Sequence, residues 1–371
     1  MIKLSKPNIP EIAITAMNDI IRSGQLVHGA ECTQFEQELA AYLDVKHACV
    51  VSNGTAALHL ALLALDIGPG DAVLVPDFTY PATANVVAMV GATPVIVDVC
   101  PQTYCLSVSE LEKTITQWQG PEKLKAIMPV HEFGHPADMN AINELAKKHA
   151  LYVVEDAACA LGAVDGHLKM GAASDIGCFS FHPRKTLTTG EGGLVVTNSD
   201  EVADKLRRLR NHGMERNDAG MKFFYPGLNY RLTNFQAALG RIQLEQLNSW
   251  IQTRKSLAAF YLKKLTPLAE AGKLRLPSSH AGHSWQTFMV VLSSQFNRDD
   301  IVVQLREKGV ETSLGAQSLS TLAIYSNHWN DANQFDTGST LYKQGLALPF
   351  CELYSEAELQ QVVDALSTLL C

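Results

Sequence analysis

Apolar and polar positions alternate with two different periods over the first two hundred residues. Within Thr33–Leu43, apolar residues recur every four positions, which predicts an amphipathic helix. The apolar run Cys49–Val51 predicts a short strand, and Thr55–Leu65 predicts a strongly apolar helix after it. Further strand-like runs follow, with helical segments between most of them: Val73–Val75, Pro94–Val97, Ala126–Pro129, Tyr152–Glu155, Gly177–Phe181 and Leu194–Thr197. This alternation predicts an α/β fold with a mostly parallel sheet covered on both faces.

The pattern changes after the middle of the chain. Thr233–Gln236 has the form of a capping box that opens a helix through about Leu247. Around Ser249–Arg254 the apolar spacing shifts, and the elements that follow have a different order. We therefore predict a large domain over residues 1–249, with an N-terminal arm, and a smaller C-terminal α+β domain over residues 250–371.

The second part of the chain predicts separate elements. We expect a helix near Ser256–Leu265, a strand near Thr287–Leu292 and a last helix that opens at Ser355, with Glu358 completing its capping box. Before this domain, Met214–Tyr225 is polar and contains glycine, which favours a mobile loop.

Composition and charge narrow the classes of function. The chain has 371 residues, of which 47% are apolar, so it can bury a sizeable core. A net charge of -8 and a pI near 5.8 argue against a nucleic-acid-binding surface, so an anionic ligand would need a local group of donors. No apolar run has membrane-spanning length, and the first residues lack the apolar segment of a signal peptide. We expect a cytoplasmic protein that binds neither nucleic acid nor membrane.

The cysteines also favour a cytoplasmic protein. There are eight, and none forms a CxxC pair. Several lie inside strand-like runs, which favours reduced thiols over a disulfide framework or a zinc site. We expect no metal site.

The end of the first strand carries a phosphate-binding signal. Ser52–Thr55 is a Ser-Asn-Gly-Thr turn between a strand and a helix. Backbone N–H groups at a helix N-terminus bind phosphate, and Gly54 allows the anion to approach closely. The alternative is an ordinary turn between a strand and a helix.

Two other strand ends carry an aromatic ring and a carboxylate. Phe78 and Tyr80 follow a strand, where one ring could lie flat on a planar ligand or pack into the core. Glu155 and Asp156 follow three apolar strand residues. A buried carboxylate there requires a cation or hydrogen bonds, such as a protonated ring nitrogen, unless it caps the next helix.

A fourth strand end carries a lysine. Ser180 and Lys185 lie five residues apart, before the turn Gly190–Gly193. A lysine at such a connection is usually exposed. The alternative is a ligand site: a spacing of five residues allows the Ser180 hydroxyl to bind a phosphate and the Lys185 amine to lie nearer the ring of the same ligand. The chain has no G-x-G-x-x-G after its first strand and no G-x-S-x-G, so neither a nucleotide-dependent dehydrogenase nor a serine hydrolase is indicated.

Together the four strand ends match pyridoxal 5'-phosphate. They offer a phosphate cradle, a stacking ring, a carboxylate for the ring nitrogen and an amine for the aldehyde. We expect Asp156 to keep the ring nitrogen protonated, so that the ring accepts electrons from the substrate carbon. We also expect the site to lower the pKa of Lys185, which would then move protons during amino transfer.

At this level of detail the sequence resembles the sugar aminotransferases of the DegT/DnrJ/StrS type, which have the fold-type I architecture of pyridoxal-phosphate-dependent transferases. The resemblance covers nearly the whole chain. Its blocks occur in family order: SNGTAALHLAL, FTYPATANVV, MPVHEFGHPADM, VVEDAACALGA, SFHPRKTLTTGEGG, RLRNHG and GLNYRLTNFQAALGRIQL.

The resemblance implies a role for several residues. Lys185 matches the lysine that binds the cofactor covalently, and Asp156 matches the partner of its ring nitrogen. Tyr80 matches the stacking ring. The phosphate donors are matched by Gly54, Thr55 and Ser180. Related sugar dehydratases carry histidine in place of Lys185.

The resemblance also implies a homodimer. Asn229 matches an asparagine that reaches the phosphate from the other subunit, so that each site would be composite. The implied reaction is reversible transfer of an amino group, usually from L-glutamate, to a keto carbon of a nucleotide-linked sugar. Such products enter polysaccharide, lipopolysaccharide or antibiotic-sugar biosynthesis.

Three features depart from the family pattern. Cys159 occupies the cofactor-binding position where the family commonly has Gln or His near the phenolic oxygen, and a thiol is a weak donor. Arg184 stands where a small or neutral residue is usual, so it either meets an anionic substrate group or faces solvent. Gly309–Tyr325 lacks the family's usual sugar-pocket residues.

Two alternatives to a sugar aminotransferase stay open from the sequence. One is another fold-type I activity, such as an aldolase or an aminotransferase for a keto-cyclitol or a keto acid. The other is a pyridoxal-phosphate-binding regulator without turnover. Retention of the lysine, the carboxylate and the phosphate donors favours an enzyme over a regulator.

Overall fold

The computed structural model describes residues 1–217, 220–326 and 335–371. Its helices are α1 (Glu11–Ser23), α2 (Ala30–Leu43), α3 (Gly54–Ala64), α4 (Ala82–Met89), α5 (Val108–Gln117), α6 (Met139–His149), α7 (Asp200–Arg210), α8 (Asn234–Glu270), α9 (Arg298–Glu307), α10 (Ala323–Ser326), α11 (Asp336–Gln344) and α12 (Glu356–Leu370). Among these described helices, none has the length and apolar character needed to span a membrane.

The strands form one large sheet and several small ones. They are β1 (His47–Val51), β2 (Asp71–Pro76), β3 (Phe78–Thr79), β4 (Thr93–Val97), β5 (Lys123–Ile127), β6 (Tyr152–Asp156), β7 (Val164–Asp165), β8 (Leu168–Lys169), β9 (Ile176–Ser180), β10 (Gly193–Thr197), β11 (Met214–Asn217), β12 (Gly220–Phe223), β13 (Leu274–Arg275), β14 (Phe288–Leu292), β15 (Gln317–Ser318) and β16 (Gly345–Leu348). The large sheet has seven strands in the order β1-β10-β9-β6-β5-β2-β4.

The large sheet is mostly parallel, as the sequence predicts. The neighbours from β9 through β6, β5 and β2 to β4 pair in parallel. At the other edge, β1 and β9 both pair antiparallel with β10. Because β2, β6 and β9 run in the same direction, their carboxyl ends lie at one edge of the sheet.

Alternate residues of the apolar strands face opposite sides of the sheet. Along β2, Ala72 and Leu74 pack into the core that α2 supplies with Phe35. Val73 and Val75 pack into the core on the other face, with the apolar helix α3. Two buried faces explain why these strands are apolar throughout instead of alternating with polar residues.

Two predicted helix starts are confirmed, and one predicted helix end is wrong. Capping boxes begin α8 at Thr233 and α12 at Ser355. Helix α8 does not end near Leu247, however, and continues to Glu270. Residues 249–254 contain no glycine or proline, so nothing in that stretch breaks the helix. The division at residue 249 stays a prediction.

A separate apolar core lies in the last third of the chain. Strands β13, β14 and β16 form a small antiparallel sheet that packs with α9 and α12 and with the second half of α8. The predicted strand near Thr287–Leu292 corresponds to β14. The segment Met214–Tyr225, in contrast, contains a hairpin of β11 and β12 where we expected a loop.

Arg254 ties α8 to the last third of the chain through a buried ion pair. Its guanidinium lies 2.8 Å from Glu352, both side chains are almost fully buried, and it also donates to the carbonyls of Trp285 and Gln286. On the same helix, Arg241 pairs with Glu31 at 2.6 Å, but about a third of its side chain is exposed.

We expect Arg254→Ala to lower the free energy of unfolding by about 3–5 kcal/mol, because it leaves Glu352 as a buried charge without its partner. Arg241→Ala, the control on the same helix, should cost about 1 kcal/mol or less because its pairs are partly solvated. Denaturant unfolding followed by circular dichroism measures both. Equal losses in the two variants would contradict this account of Arg254.

Candidate active site

The lysine of the predicted site lies in the turn after β9. The backbone N–H of Lys185 donates to the carbonyl of His182 at 2.8 Å, which fixes the turn. The side chain extends into the protein, and Nζ donates to the sulfur of Cys159 at 2.9 Å. Lys185 is thus a positioned amine and not a solvated surface lysine.

Asp156 ends the central strand β6 and is buried. Its carboxylate accepts the hydroxyl of Thr83 at 2.9 Å and the backbone N–H of Ala158 at 3.1 Å. Burial raises the pKa of Asp156; those two hydrogen bonds and the charge of Lys185 oppose the rise. In the described part of the chain no cation forms an ion pair with this carboxylate within 4 Å.

The neighbouring carboxylate, Glu155, has a structural role. It is fully buried and lies 2.9 Å from His131, and it accepts the backbone N–H groups of Gly171 and Ala173 and the hydroxyl of Ser174. Its oxygens are therefore occupied by the protein itself. Of the two adjacent acids, Asp156 is the one left for a ligand.

The expected phosphate cradle lies where α3 begins. The side chain of Asn53 caps the helix by accepting the N–H of Ala56 at 2.7 Å. A Cβ atom added to Gly54 would lie 2.8 Å from the Cβ of Ser180, so only glycine allows these two segments to pack this closely. Thr55 is exposed in the first turn, where N–H groups precede the first intrahelical bond.

Tyr80 follows β3 and is 74% exposed, so its ring is not part of the core, whereas Phe78 is buried. Thr83 links this segment to the carboxylate, because the same hydroxyl that donates to Asp156 lies 3.1 Å from the carbonyl of Tyr80. Sequence reasoning missed Thr83. The signal available was its place three residues after Tyr80, on the same turn.

Two further residues singled out from the sequence, Asn229 and Arg184, are exposed. Asn229 is exposed and forms an isolated bridge with Asn211. Its neighbour Tyr230 accepts the backbone N–H of Ser52 at 2.8 Å, next to the phosphate cradle. Arg184 is exposed, and its backbone carbonyl accepts the side-chain amide of Gln286 at 2.7 Å.

Sequence reasoning also missed Glu132. It is a buried carboxyl between His131 and the turn at Phe133. Burial raises its pKa to about 8, while Lys185 lowers that pKa and Asp156 raises it. A glutamate within an apolar block could have been flagged, but the sequence does not show that it lies near the lysine.

We expected the site to lower the pKa of Lys185, and for the protein without cofactor this prediction is wrong. Burial alone lowers the pKa of this amine, but Cys159, Asp156 and Glu132 raise it by more, so the net shift is upward. The sequence does not show how many acidic neighbours the fold brings to the lysine. Burial also raises the pKa of the Cys159 thiol.

The segment that departs from the family pattern docks beside Tyr80. Strand β15 pairs antiparallel with β3. Asp77 accepts the hydroxyl of Ser318 and the backbone N–H of Ser320, both at 2.7 Å. Tyr325 donates to Asn85 on α4 at 2.6 Å. Gly309–Tyr325 is thus fixed to the segment that carries the predicted stacking ring.

The residues present fit pyridoxal 5'-phosphate. Asp156 is a carboxylate whose pKa is raised by burial, and a protonated ring nitrogen beside it would favour its ionised form. The backbone N–H groups at the start of α3, which Gly54 brings into close contact with Ser180, suit a phosphate. Lys185 supplies an amine, and the exposed Tyr80 supplies a ring face. In the described part of the chain no cluster suits a metal ion.

Comparisons with known proteins identify the family of the chain. The model of the DegT/DnrJ/EryC1/StrS aminotransferase family matches residues 7–367. The GDP-perosamine synthase of Caulobacter vibrioides is 39% identical over 350 residues, which cover 92% of this chain and 91% of that protein.

Solved structures show the same fold. A DegT DnrJ EryC1 StrS aminotransferase from Brucella abortus has a TM-score of 0.88 and 32% identity, and covers 96% of this chain and 95% of that one. A protein from Streptococcus pneumoniae described as a sugar aminotransferase, in its PLP form, has a TM-score of 0.91 and 26% identity, with 100% and 98% covered.

We expect Thr83→Val to weaken binding of pyridoxal phosphate about tenfold, because hydrogen bonds to charged groups contribute more than neutral ones. Titration of the cofactor-depleted protein, followed by absorbance, gives the dissociation constant. Thr79→Val is the matched control, since the Thr79 hydroxyl lies 3.1 Å from that of Thr83 and is not bonded to Asp156. An equal loss in both variants would refute a specific role for Thr83.

Proposed function

The chain belongs to the DegT/DnrJ/EryC1/StrS aminotransferase family, and on that premise we propose that it transfers an amino group to the keto carbon of a GDP-linked deoxy-sugar. It is a pyridoxal-phosphate-dependent aminotransferase of the fold-type I architecture. We propose L-glutamate as the amino donor and surface-polysaccharide or lipopolysaccharide biosynthesis as the use of the product.

One observation carries the assignment of an amino-transfer site. A buried carboxylate, Asp156, and a positioned amine, Lys185, lie at the carboxyl ends of adjacent parallel strands, with a phosphate cradle beside them. A regulator that only binds the cofactor has no need for an amine so placed. The GDP-linked product named for the relatives supports GDP as the nucleotide.

The chain's own residues divide the work of the reaction. When bound, pyridoxal phosphate supplies an aldehyde for the amine and a protonated ring that withdraws electrons from the substrate carbon. Asp156 holds the proton on the ring nitrogen, and Tyr80 orients the ring by stacking. Lys185 Nζ would move a proton from the α-carbon of the donor to the cofactor carbon that carries the amino group, and afterwards from that cofactor carbon to the sugar carbon that becomes aminated.

The phosphate is proposed to bind at the start of α3. The backbone of Gly54 and Thr55 and the hydroxyl of Ser180 would donate to its oxygens, with the positive end of the helix dipole favouring the charge. Cys159, in contact with Lys185, lies where the cofactor's phenolic oxygen is expected and offers only a weak donor.

We propose that the active unit is a homodimer with composite sites. Asn229 is exposed, and in this role it reaches the phosphate of the other subunit. Reduced thiols support a cytoplasmic enzyme, since all eight cysteines are free.

A basic cavity near Asn229 supports binding of an anionic substrate. It has a volume of about 330 Å³. Its lining carries more positive than negative side chains: Arg207, Arg208, Arg210 and Arg231, with Asp204 and Glu215. Asn211, the bridge partner of Asn229, also lines it. In a composite site this cavity would face the active site of the other subunit, and we propose that it receives the diphosphate of the nucleotide.

The function is tested by conversion of a panel of substrates with L-glutamate: GDP-linked and other nucleotide-linked keto-sugars, a free keto-sugar, a keto-cyclitol and keto acids. We expect turnover with the GDP-linked keto-sugar and little with the same sugar without its nucleotide. Turnover only of a keto-cyclitol or keto acid would refute the proposed substrate. No bleaching of the cofactor's absorbance by any amino donor would refute turnover altogether.

We expect Lys185→Ala to abolish turnover and to keep the native circular dichroism spectrum, because the turn is fixed by the backbone of Lys185 and not by its amine. Borohydride reduction of the wild-type holoenzyme and peptide mapping should place the pyridoxyl tag on Lys185. A tag on another side chain, or appreciable transamination by the variant, would contradict the assignment.

A mixture of two impaired variants tests the composite site. Lys185→Ala loses the amine, and Asn229→Ala is expected to bind the cofactor weakly in the site of the other subunit. Mixed dimers contain one site with both residues intact, so turnover should reappear after the variants are mixed and allowed to exchange subunits. If no mixture regains turnover although mass spectrometry shows mixed dimers, Asn229 does not act across the interface.

A further inference from the structure

Glu132 is a buried acid that the roles above do not use. It is 5% exposed, and the backbone N–H of Phe133 lowers the pKa of its carboxyl by less than burial raises it. In the described part of the chain no basic side chain forms an ion pair with it within 4 Å. A carboxyl in such surroundings is costly to ionise, so a purely structural role would be better served by an amide or an apolar side chain.

The position of Glu132 is fixed by its neighbours on both sides. His131 lies 2.9 Å from the buried Glu155, and its backbone N–H donates to the carbonyl of Asp156 at 3.1 Å. On the other side, Phe133 has a φ of 56°, a left-handed conformation that is unfavourable for an aromatic residue. Strain of this kind persists only where the surroundings enforce it, and it occurs often at functional sites.

Titratable and charged groups surround Glu132 from several elements. Lys185 and Asp156 act on its charge. The thiols of Cys159 and Cys105 respond to it in turn. On the other side of the carboxyl, Tyr104, His135 and His283 line a shared cavity with it. Among these groups Lys185 is the only one with a positive charge at neutral pH.

The cavity that Glu132 shares with Tyr104 is small. It has a volume of about 10 Å³, room for about one water molecule, and it is also lined by the exposed Gln102. The hydroxyl of Tyr104 is buried and has no hydrogen-bond partner in the described part of the chain. Tyr104 also has a left-handed φ, of 65°. A buried hydroxyl and a buried carboxyl thus line one small cavity.

We propose that Glu132 is a positioning residue for amino transfer, which sets the protonation of Lys185 and exchanges its own proton with solvent through the cavity beneath Tyr104. As a carboxylate it favours the ammonium form of Lys185, and as a neutral acid it favours the free amine. Because its pKa lies near 8, a small change in the charge of the site changes its protonation. The inference concerns Lys185 and the cofactor, and it holds for any sugar substrate.

Glu132→Gln tests the proposal, because the amide keeps the size of the side chain and cannot ionise. The pH titration of the visible absorbance of the bound cofactor reports the protonation of the Lys185 nitrogen. Above the pKa of Glu132, the wild-type carboxylate raises the pKa of this nitrogen, and the variant lacks that effect. We expect the titration midpoint to fall by about one pH unit in the variant.

Asp98→Asn is the matched control, since it makes the same chemical change in a buried carboxylate that accepts backbone N–H groups of Thr337 and Gly338. Its titration should equal that of the wild type. If Glu132→Gln does not fold, Glu132→Met has a similar length, removes the buried carboxyl and should give the same shift. An unchanged midpoint in the folded variant, or an equal shift in Asp98→Asn, would overturn the proposal.

The outcome separates this inference from the assignment of Lys185 on which it rests. If Lys185 did not bind the cofactor, the wild-type holoenzyme would show no pH-dependent visible band and no pyridoxyl tag at that residue. If only the inference on Glu132 fails, the band and its titration remain but do not respond to the variant.

Discussion

The burial of one carboxylate at the end of a central strand is the constraint on which the rest of the structure depends. Asp156 lies at the end of β6, and within the described residues it accepts one hydroxyl and one N–H but forms no ion pair within 4 Å. Because an ionised carboxyl in such a place is unfavourable, the site is complementary to a cationic ring. The strand order brings Lys185 to the same edge of the sheet.

Much of the architecture is encoded locally. Strands buried on both faces are apolar throughout, and both capping boxes have a distinctive spacing, so the α/β fold and the starts of α8 and α12 could be predicted. The end of α8 could not, because the change of apolar period near Ser249 reflects a change of packing partner and not a break in the backbone. The hairpin of β11 and β12 has the polar, glycine-containing composition of a loop.

In the candidate site, too, some residues could be predicted from the sequence and others could not. Asp156, Lys185, Gly54 and Tyr80 follow strands, so the predicted strand order was enough to expect them near one edge of the sheet. The roles of Thr83 and Glu132 depend on contacts between segments distant in sequence, and the pKa of Lys185 depends on the sum of those contacts. The family resemblance likewise indicated a departure in Gly309–Tyr325 without showing that Asp77 fixes this segment beside Tyr80.

The length of α8 has a mechanical consequence. The helix runs for 37 residues, and its first half packs in one apolar core and its second half in another. An unbroken helix resists bending, and Arg254 pins its second half by buried bonds. The part of α8 between the two apolar cores is therefore a rigid connection and not a hinge. The site would then adjust to substrates of different size through the loops at the edge of the sheet. Substrate selectivity would depend on these short segments and not on rotation of one core against the other.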